Sequence, residues 1–312
     1  MMEIADLFDA EQCLTTVQAL HNSGDVVELR AVKPRPDTPG WEKTASGFYD
    51  NYQRLIEDAE KLNGRYAAIY VSLNPPKPEL LSRSANRISF NPSDTVGDAD
   101  IQTRRWLFLD FDPVRSSGIP ATDAEQDLAF ARARECREYL SGRGWPEPVR
   151  AASGNGAHLL YRIDLVNDDI SRHLIDDILK ALAAQYSDER VEMDAGTGNA
   201  SRLAKLYGTL SAKGDAIGDR PHRLARLLRE PDPIEVVSHG QLRDLGAMNP
   251  TVLTLGKQPN QSEGFDLEGW IAEKGLDVVK VTSWNGGRKW ILAECPWDAS
   301  HTDQAAYIVQ LS

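Results

Sequence analysis

One stretch constrains the fold more than any other: Trp106-Leu-Phe-Leu-Asp-Phe-Asp-Pro113. A short run of large apolar residues closed by a proline reads as a buried strand. Side chains two apart on a strand point to the same face. Asp110 and Asp112 therefore project together from the strand's end. Two neighbouring carboxylates repel each other unless something cationic lies between them. Hard oxygen donors in that arrangement suit Mg²⁺ or Mn²⁺.

The chain has 312 residues, enough for one large domain or two smaller ones. Hydrophobic residues make up 41%, sufficient for a core. No apolar run reaches about 18 residues, so no transmembrane helix is expected. The N-terminus, Met-Met-Glu-Ile-Ala-Asp, lacks the basic and apolar regions of a signal peptide. Cys13, Cys136 and Cys295 are far apart and odd in number. That pattern argues for a reducing compartment rather than a disulfide framework. A cytoplasmic protein without membrane contact is the expectation. The net charge of −12 disfavours a surface that grips nucleic acid everywhere. From Arg202 to Arg229, however, seven basic residues stand against two acids, a local excess of +5 that suits a basic groove or a solvated face.

Periodicity predicts helices over residues 3–22, 48–62, 168–186 and near 200–207, and strands over 26–32, 66–73, 149–152, 158–163, 191–194 and 223–228. Helical pieces are also expected near 79–84. Thr122-Asp-Ala-Glu125 is a capping box and opens a helix to about Leu140. Residues 1–248 are assigned to one catalytic domain. Residues 249–264, with Pro250, Gly256 and Pro259, read as a linker. Residues 265–312 read as a small Trp-rich β segment. The alternation of strands and helices predicts an α/β (α+β) fold with several strand ends meeting at one edge.

Asp110, Asp112 and Asp194 are expected to converge at that edge. Three carboxylates can hold two divalent ions, which stabilise both oxygens of an in-line phosphoryl displacement. Ser153-Gly-Asn-Gly-Ala-His158 supplies a tight turn whose backbone N–H groups suit an anion, followed by a histidine. Arg202 and Lys205, three apart, share a face if their segment is helical and suit a triphosphate. Each of these has a plainer reading: a strand-end turn, a surface histidine, an exposed basic pair.

Together these pieces resemble the primase–polymerases of the archaeo-eukaryotic primase superfamily, in the style carried by phages and plasmids. The matching stretches are Trp106 to Arg115, Ser153 to Tyr161, and Met193-Asp194 followed by Asn199-Ala-Ser-Arg-Leu-Ala-Lys-Leu-Tyr-Gly-Thr209 and Lys213-Gly214. Asp219-Arg-Pro-His-Arg223 and Ala68 to Pro75 add to the likeness, which covers roughly residues 25–235. The resemblance implies an α/β N-terminal module beside a module like an RNA-recognition motif, with the active site between them. It implies Asp110, Asp112 and Asp194 as the metal-binding carboxylates for two Mg²⁺ or Mn²⁺ ions. Ser153, Asn155, Gly156, His158, Arg202 and Lys205 become the nucleotide contacts, with His158 at the triphosphate. The implied partners are a single-stranded DNA template, a primer and dNTP or NTP. The chain departs from the family at Gly156, where Ser often stands two residues before the histidine; a backbone N–H is the candidate replacement for that hydroxyl.

The alternatives are a metal-dependent nuclease, a glycosyltransferase using Asp-x-Asp, and a replication-initiator module that binds DNA without catalysis. Trp290 to His301 resembles the start of a Cys/His module found in phage primase–helicases. Cys295 and His301 make a zinc site only if a longer chain completes it, since four ligands are normally needed. The expectation is therefore a piece of a larger primase–helicase.

Overall fold

The computed structural model describes residues 7–36, 38–249, 267–284, 287–295 and 306–310. Two compact units divide the chain, Met1–Leu255 and Gly256–Ser312.

The first unit is built on two five-stranded antiparallel sheets. One has the order β4-β2-β1-β3-β9, with β1 Val27–Pro34, β2 Thr44–Tyr49, β3 Tyr66–Ser72, β4 Ser89–Phe90 and β9 Leu203–Lys205. Helix α1 (Ala10–Leu20), capped by Asp9, and helix α2 (Tyr52–Leu62), capped by Asn51, accompany it. The other sheet has the order β12-β6-β7-β5-β8, with β5 Thr103–Pro113, β6 Val149–Ala152, β7 Ala157–Val166, β8 Val191–Met193 and β12 Arg226–Arg229.

The central strands of the second sheet arise in the chain order β5, α3 (Asp123–Ser141), β6, β7, α4 (Asp169–Tyr186), β8. A β-α-β-β-α-β run with sheet order β6-β7-β5-β8 is the split βαβ arrangement, shared with RNA-recognition motifs. Alternation along β5 gives this sheet two apolar faces. Leu107, Leu109 and Phe111 join Ala133, Cys136, Ile178 and Leu182 of the two helices. Trp106 and Phe108 join Leu29, Tyr49, Ile69 and Val71 of the first sheet. The two sheets thus share one core, and Asp110 and Asp112 continue the face that looks toward the first sheet.

Several expected elements change. Residues 200–207 are not helical: β9 runs extended at the edge of the first sheet, pairing Tyr70 with Lys205 and Ser72 with Leu203. Residues 48 and 49 end β2, so α2 starts later than expected, at Tyr52. The strand expected over 223–228 is two: β11 (Arg223–Leu224) pairs with β10 (Leu210–Ser211) in a small separate sheet, and β12 lies at the edge of the second large sheet. A 3₁₀ helix occupies Pro78–Arg83. Helix α5 spans His239–Gly246.

The second unit contains helix α6 (Leu267–Glu273) and an antiparallel sheet in the order β13-β14-β15, formed by Val278–Trp284, Gly287–Leu292 and Tyr307–Gln310. Of the expected linker only Asn249 is described, and His301 also lies outside the described residues. Cys295 is a free, half-buried thiol.

Candidate active site

Strand pairing brings the motifs together. β5 and β7 pair so that Asp110 lies opposite His158, and β7 and β6 pair Ala157 with Ala152 across the Ser153–Gly156 turn. β8 pairs with the far end of β5, and the Asp194 N–H donates to the Asp110 carbonyl at 2.9 Å. Facing them, register across the first sheet sets Ser46, Arg30, Tyr70 and Lys205 in one row on four adjacent strands. The cleft between, about 470 Å³, is lined by Asp110, Asp112, Phe108, Ser153, Asn155 and His158 on one side. Arg30, Tyr70, Arg202, Lys205 and Lys213 line the other.

The two carboxylates are held in different electrostatic states. Burial pushes the Asp110 carboxyl up, but His158, Arg202 and Lys213 outweigh it and bring it below its ordinary value. Burial and the charge of Asp110 push Asp112 up. Asp110 Oδ1 lies 3.2 Å from His158 Nε2, yet off the line of a hydrogen bond, so this buried oxygen has no hydrogen-bond partner. Nδ1 of the same ring is 2.8 Å from the Tyr207 hydroxyl. Tyr207 is fully buried, and burial holds its phenol well above the ordinary range. A Tyr207 hydroxyl that donates to Nδ1 would leave the proton of a neutral ring on Nε2, toward Asp110. The Phe108 ring packs edge-on against the imidazole at 4.7 Å.

The glycine turn works differently from the anion nest expected of it. Ser153 Oγ accepts the N–H groups of Gly156 at 2.9 Å and Asn155 at 3.3 Å. Those donors are therefore taken, and the N–H of Gly156 does not substitute for a serine hydroxyl. What remains for the cleft is the hydroxyl proton of Ser153 itself. Asn155 turns its Oδ1 to the Ala121 N–H at 2.9 Å, tying the turn to the start of α3. A side chain at 156 would place Cβ 2.1 Å from the Phe111 carbonyl oxygen. Close approach of the turn to β5 requires glycine there.

Arg202 and Lys205 both reach the cleft, though not as neighbours on a helix. Arg202 precedes β9 and donates to Asp194 Oδ2 at 2.9 Å, while its guanidinium lies 5.9 Å from the Phe108 ring. Lys205 is buried, its Nζ has no hydrogen-bond partner, and it sits 5.2 Å from the Tyr70 ring. Burial and the charge of Lys213 lower its pKa to about 7. The rest of the basic segment does not form one groove. Arg220 forks onto Glu125, while Arg223 donates once to Asp123 and once to the Ala121 carbonyl, all at the start of α3.

Asp110 and Asp112 fit a divalent ion by donor chemistry: two hard carboxylates on one face, one with an orphaned oxygen and the other disfavoured as an anion by its neighbour. Asp194 is adjacent through the backbone, but its carboxylate accepts from the Gly196 N–H at 2.7 Å and from Arg202. Among the described residues no three carboxylate, histidine or cysteine groups are gathered as a ready metal cage. A site with two protein carboxylates leaves the remaining positions to water and phosphate oxygens, the usual habit of Mg²⁺.

Arg30, Tyr70, Lys213 and Tyr207 were assigned no role from sequence. An arginine within the strand pattern over 26–32 is the sequence signal for the first, and Tyr70 in the run 66–73 has none beyond its place on a strand. Tyr207 lies in the run from Asn199 to Thr209, with nothing local to tie it to His158.

No family model matches the chain, and no curated protein matches it. Solved structures similar to it include the primase–polymerase domain of cyanophage S-2L, at 16% identity and a TM-score of 0.43 over 77% of this chain and 98% of that one. Primase RepB' is similar at 9% identity and a TM-score of 0.43, over 80% of this chain and 66% of that one. The polymerase domain of Mycobacterium tuberculosis ligase D, solved in complex with DNA, is similar at 14% identity and a TM-score of 0.38, over 67% and 77% of the two chains.

Proposed function

We propose that the chain is a DNA primase–polymerase of the archaeo-eukaryotic type, a nucleotidyltransferase that makes and extends primers on single-stranded DNA. One observation carries the reading. A carboxylate pair and a histidine on one sheet face Arg202, Lys205 and Lys213 across a single cleft. A nuclease needs the acids but does not need three basic residues, one of them buried, set opposite them for a triphosphate. A glycosyltransferase has no use for the Ser153 turn and His158 beside the pair.

Asp110 and Asp112 would hold Mg²⁺ or Mn²⁺, and Asp194 would join them as a third carboxylate only by giving up its pairing with Arg202. Ions held there would supply Lewis-acid chemistry, favouring deprotonation of an attacking 3′-hydroxyl and offsetting the charge of a departing pyrophosphate. Lys205, Lys213 and Arg202 hold the triphosphate of the incoming nucleotide by charge. His158 donates from Nε2 to a phosphate oxygen, with Tyr207 fixing its tautomer. Ser153 donates its hydroxyl proton to the same group, and Asn155 holds the turn in place. Gly156 lets the turn approach the metal-binding strand.

Incubation with single-stranded DNA, labelled nucleotides and Mg²⁺ or Mn²⁺, with and without an annealed primer, tests this. Metal-dependent products are expected from the native chain. Asp110→Ala/Asp112→Ala lowers incorporation by more than about 100-fold, beyond what loss of an outer partner causes. Products of equal yield from that variant, or none from the native chain with either metal, would sink the proposal. DNA binding without any incorporation would favour the initiator-module reading.

A further inference from the structure

The second unit has a sheet face that the chemistry above does not use. Trp290 and Ile308 pack with Leu267 and Ile271 of α6, which defines the inner face. Lys289 alternates to the outer side. Its Nζ lies 4.6 Å from the centre of the Trp284 ring and 3.7 Å from that of Tyr307. Three residues from three strands therefore meet on one surface. Trp284 and Tyr307 remain 45% and 53% exposed. β13, β14 and β15 carry Lys280, Arg288 and Lys289 and no carboxylate. Arg288 is paired with Glu268, whereas Lys280 and Lys289 have no ion-pair partner among the described residues.

Half-exposed aromatic rings beside unpaired lysines suit a ligand with flat π faces and repeated negative charge. Bases stack on such rings whatever their sequence, and phosphates pair with the lysines. An acidic peptide would use the lysines and leave the rings without a partner. We propose that the Trp284–Lys289–Tyr307 face binds single-stranded nucleic acid without sequence preference. The proposal stands independently of nucleotidyl transfer in the first unit.

Fluorescence anisotropy of labelled oligo-dT and oligo-rU with the full chain, in EDTA and without nucleotides, reads this binding apart from catalysis. Trp284→Ala and Tyr307→Ala are each expected to weaken it by about fivefold or more. Trp284→Phe and Tyr307→Phe keep a stacking ring and bind as the native chain does. Lys289→Ala lowers the slope of log affinity against log salt by roughly 0.7, one phosphate contact on a single strand. Tighter binding of one oligomer assigns DNA or RNA as the ligand. Native affinity in all three alanine variants overturns the proposal, as does competition by poly-glutamate equal to that by oligo-dT.

Discussion

Lys205 sets function against stability at the scale of one side chain. Its ammonium is buried without a hydrogen-bond partner, and its pKa falls from 10.5 to about 7. The unfolded chain binds that proton more readily, so the lysine destabilises the fold most below pH 7. The penalty fades as pH rises from about 7 towards 10.5. Lys205→Met fills similar space without the charge and is expected to raise stability by roughly 1–3 kcal/mol at pH 7. The gain should shrink at about pH 9. Nucleotide incorporation should fall about tenfold or more, since a charge-assisted phosphate contact is lost. Urea unfolding of both proteins at the two pH values, beside a primer-extension assay, checks both halves. An unchanged urea midpoint at pH 7 would mean that the ammonium is not stranded as described.

At the scale of elements, the glycine turn and β5 fit so closely that a serine in place of Gly156 does not suit this chain. Gly156→Ser places a Cβ 2.1 Å from the Phe111 carbonyl, backbone that cannot swing away as a side chain would. The substitution is expected to cost about 2–4 kcal/mol, read as a lower thermal midpoint, even though it restores the resemblance. A native midpoint in the serine variant would show that β5 yields at its end. The same contact explains what was legible. Asp110, Asp112 and His158 sit on strands whose alternation, length and flanking turns are local, so their face could be read from sequence alone. Arg202 and Lys205 were legible as residues but misplaced as a helix. Leu203, Ala204, Leu206 and Tyr207 are compatible with helical periodicity, and only pairing with β3 makes β9 extended. Arg30 and Tyr70 join the cleft through register across β1, β3 and β9, a row that runs from Arg30 to Lys205 in the chain. Nothing in a linear pattern reports such a row.

At the scale of the whole first unit, the end of α1 is where both sheets are tied to one helix. His21 Nε2 donates to the Ser72 carbonyl of β3 at 2.8 Å. Trp106 of β5 donates its indole N–H to the Leu20 carbonyl at 3.0 Å. His21 is buried, and burial outweighs the Ser72 bond and lowers its pKa from 6.5 to about 4. A neutral imidazole is thus built into the joint between helix and sheets. Below pH 6.5 the unfolded chain takes up a proton that the folded chain refuses until about pH 4. Its contribution to stability is therefore complete above pH 6.5 and is lost as pH falls through that window. The loss amounts to about 1.4 kcal/mol per pH unit and about 3 kcal/mol in all. Carboxylates titrate over part of the same range, so the useful quantity is the difference from a His21→Gln variant. Glutamine keeps a donor for Ser72 but takes up no proton. The native chain should be the more stable at pH 7.5, and its advantage should shrink or reverse by about pH 5. A difference in urea midpoint that stays constant across that range would show that His21 does not couple the joint to pH.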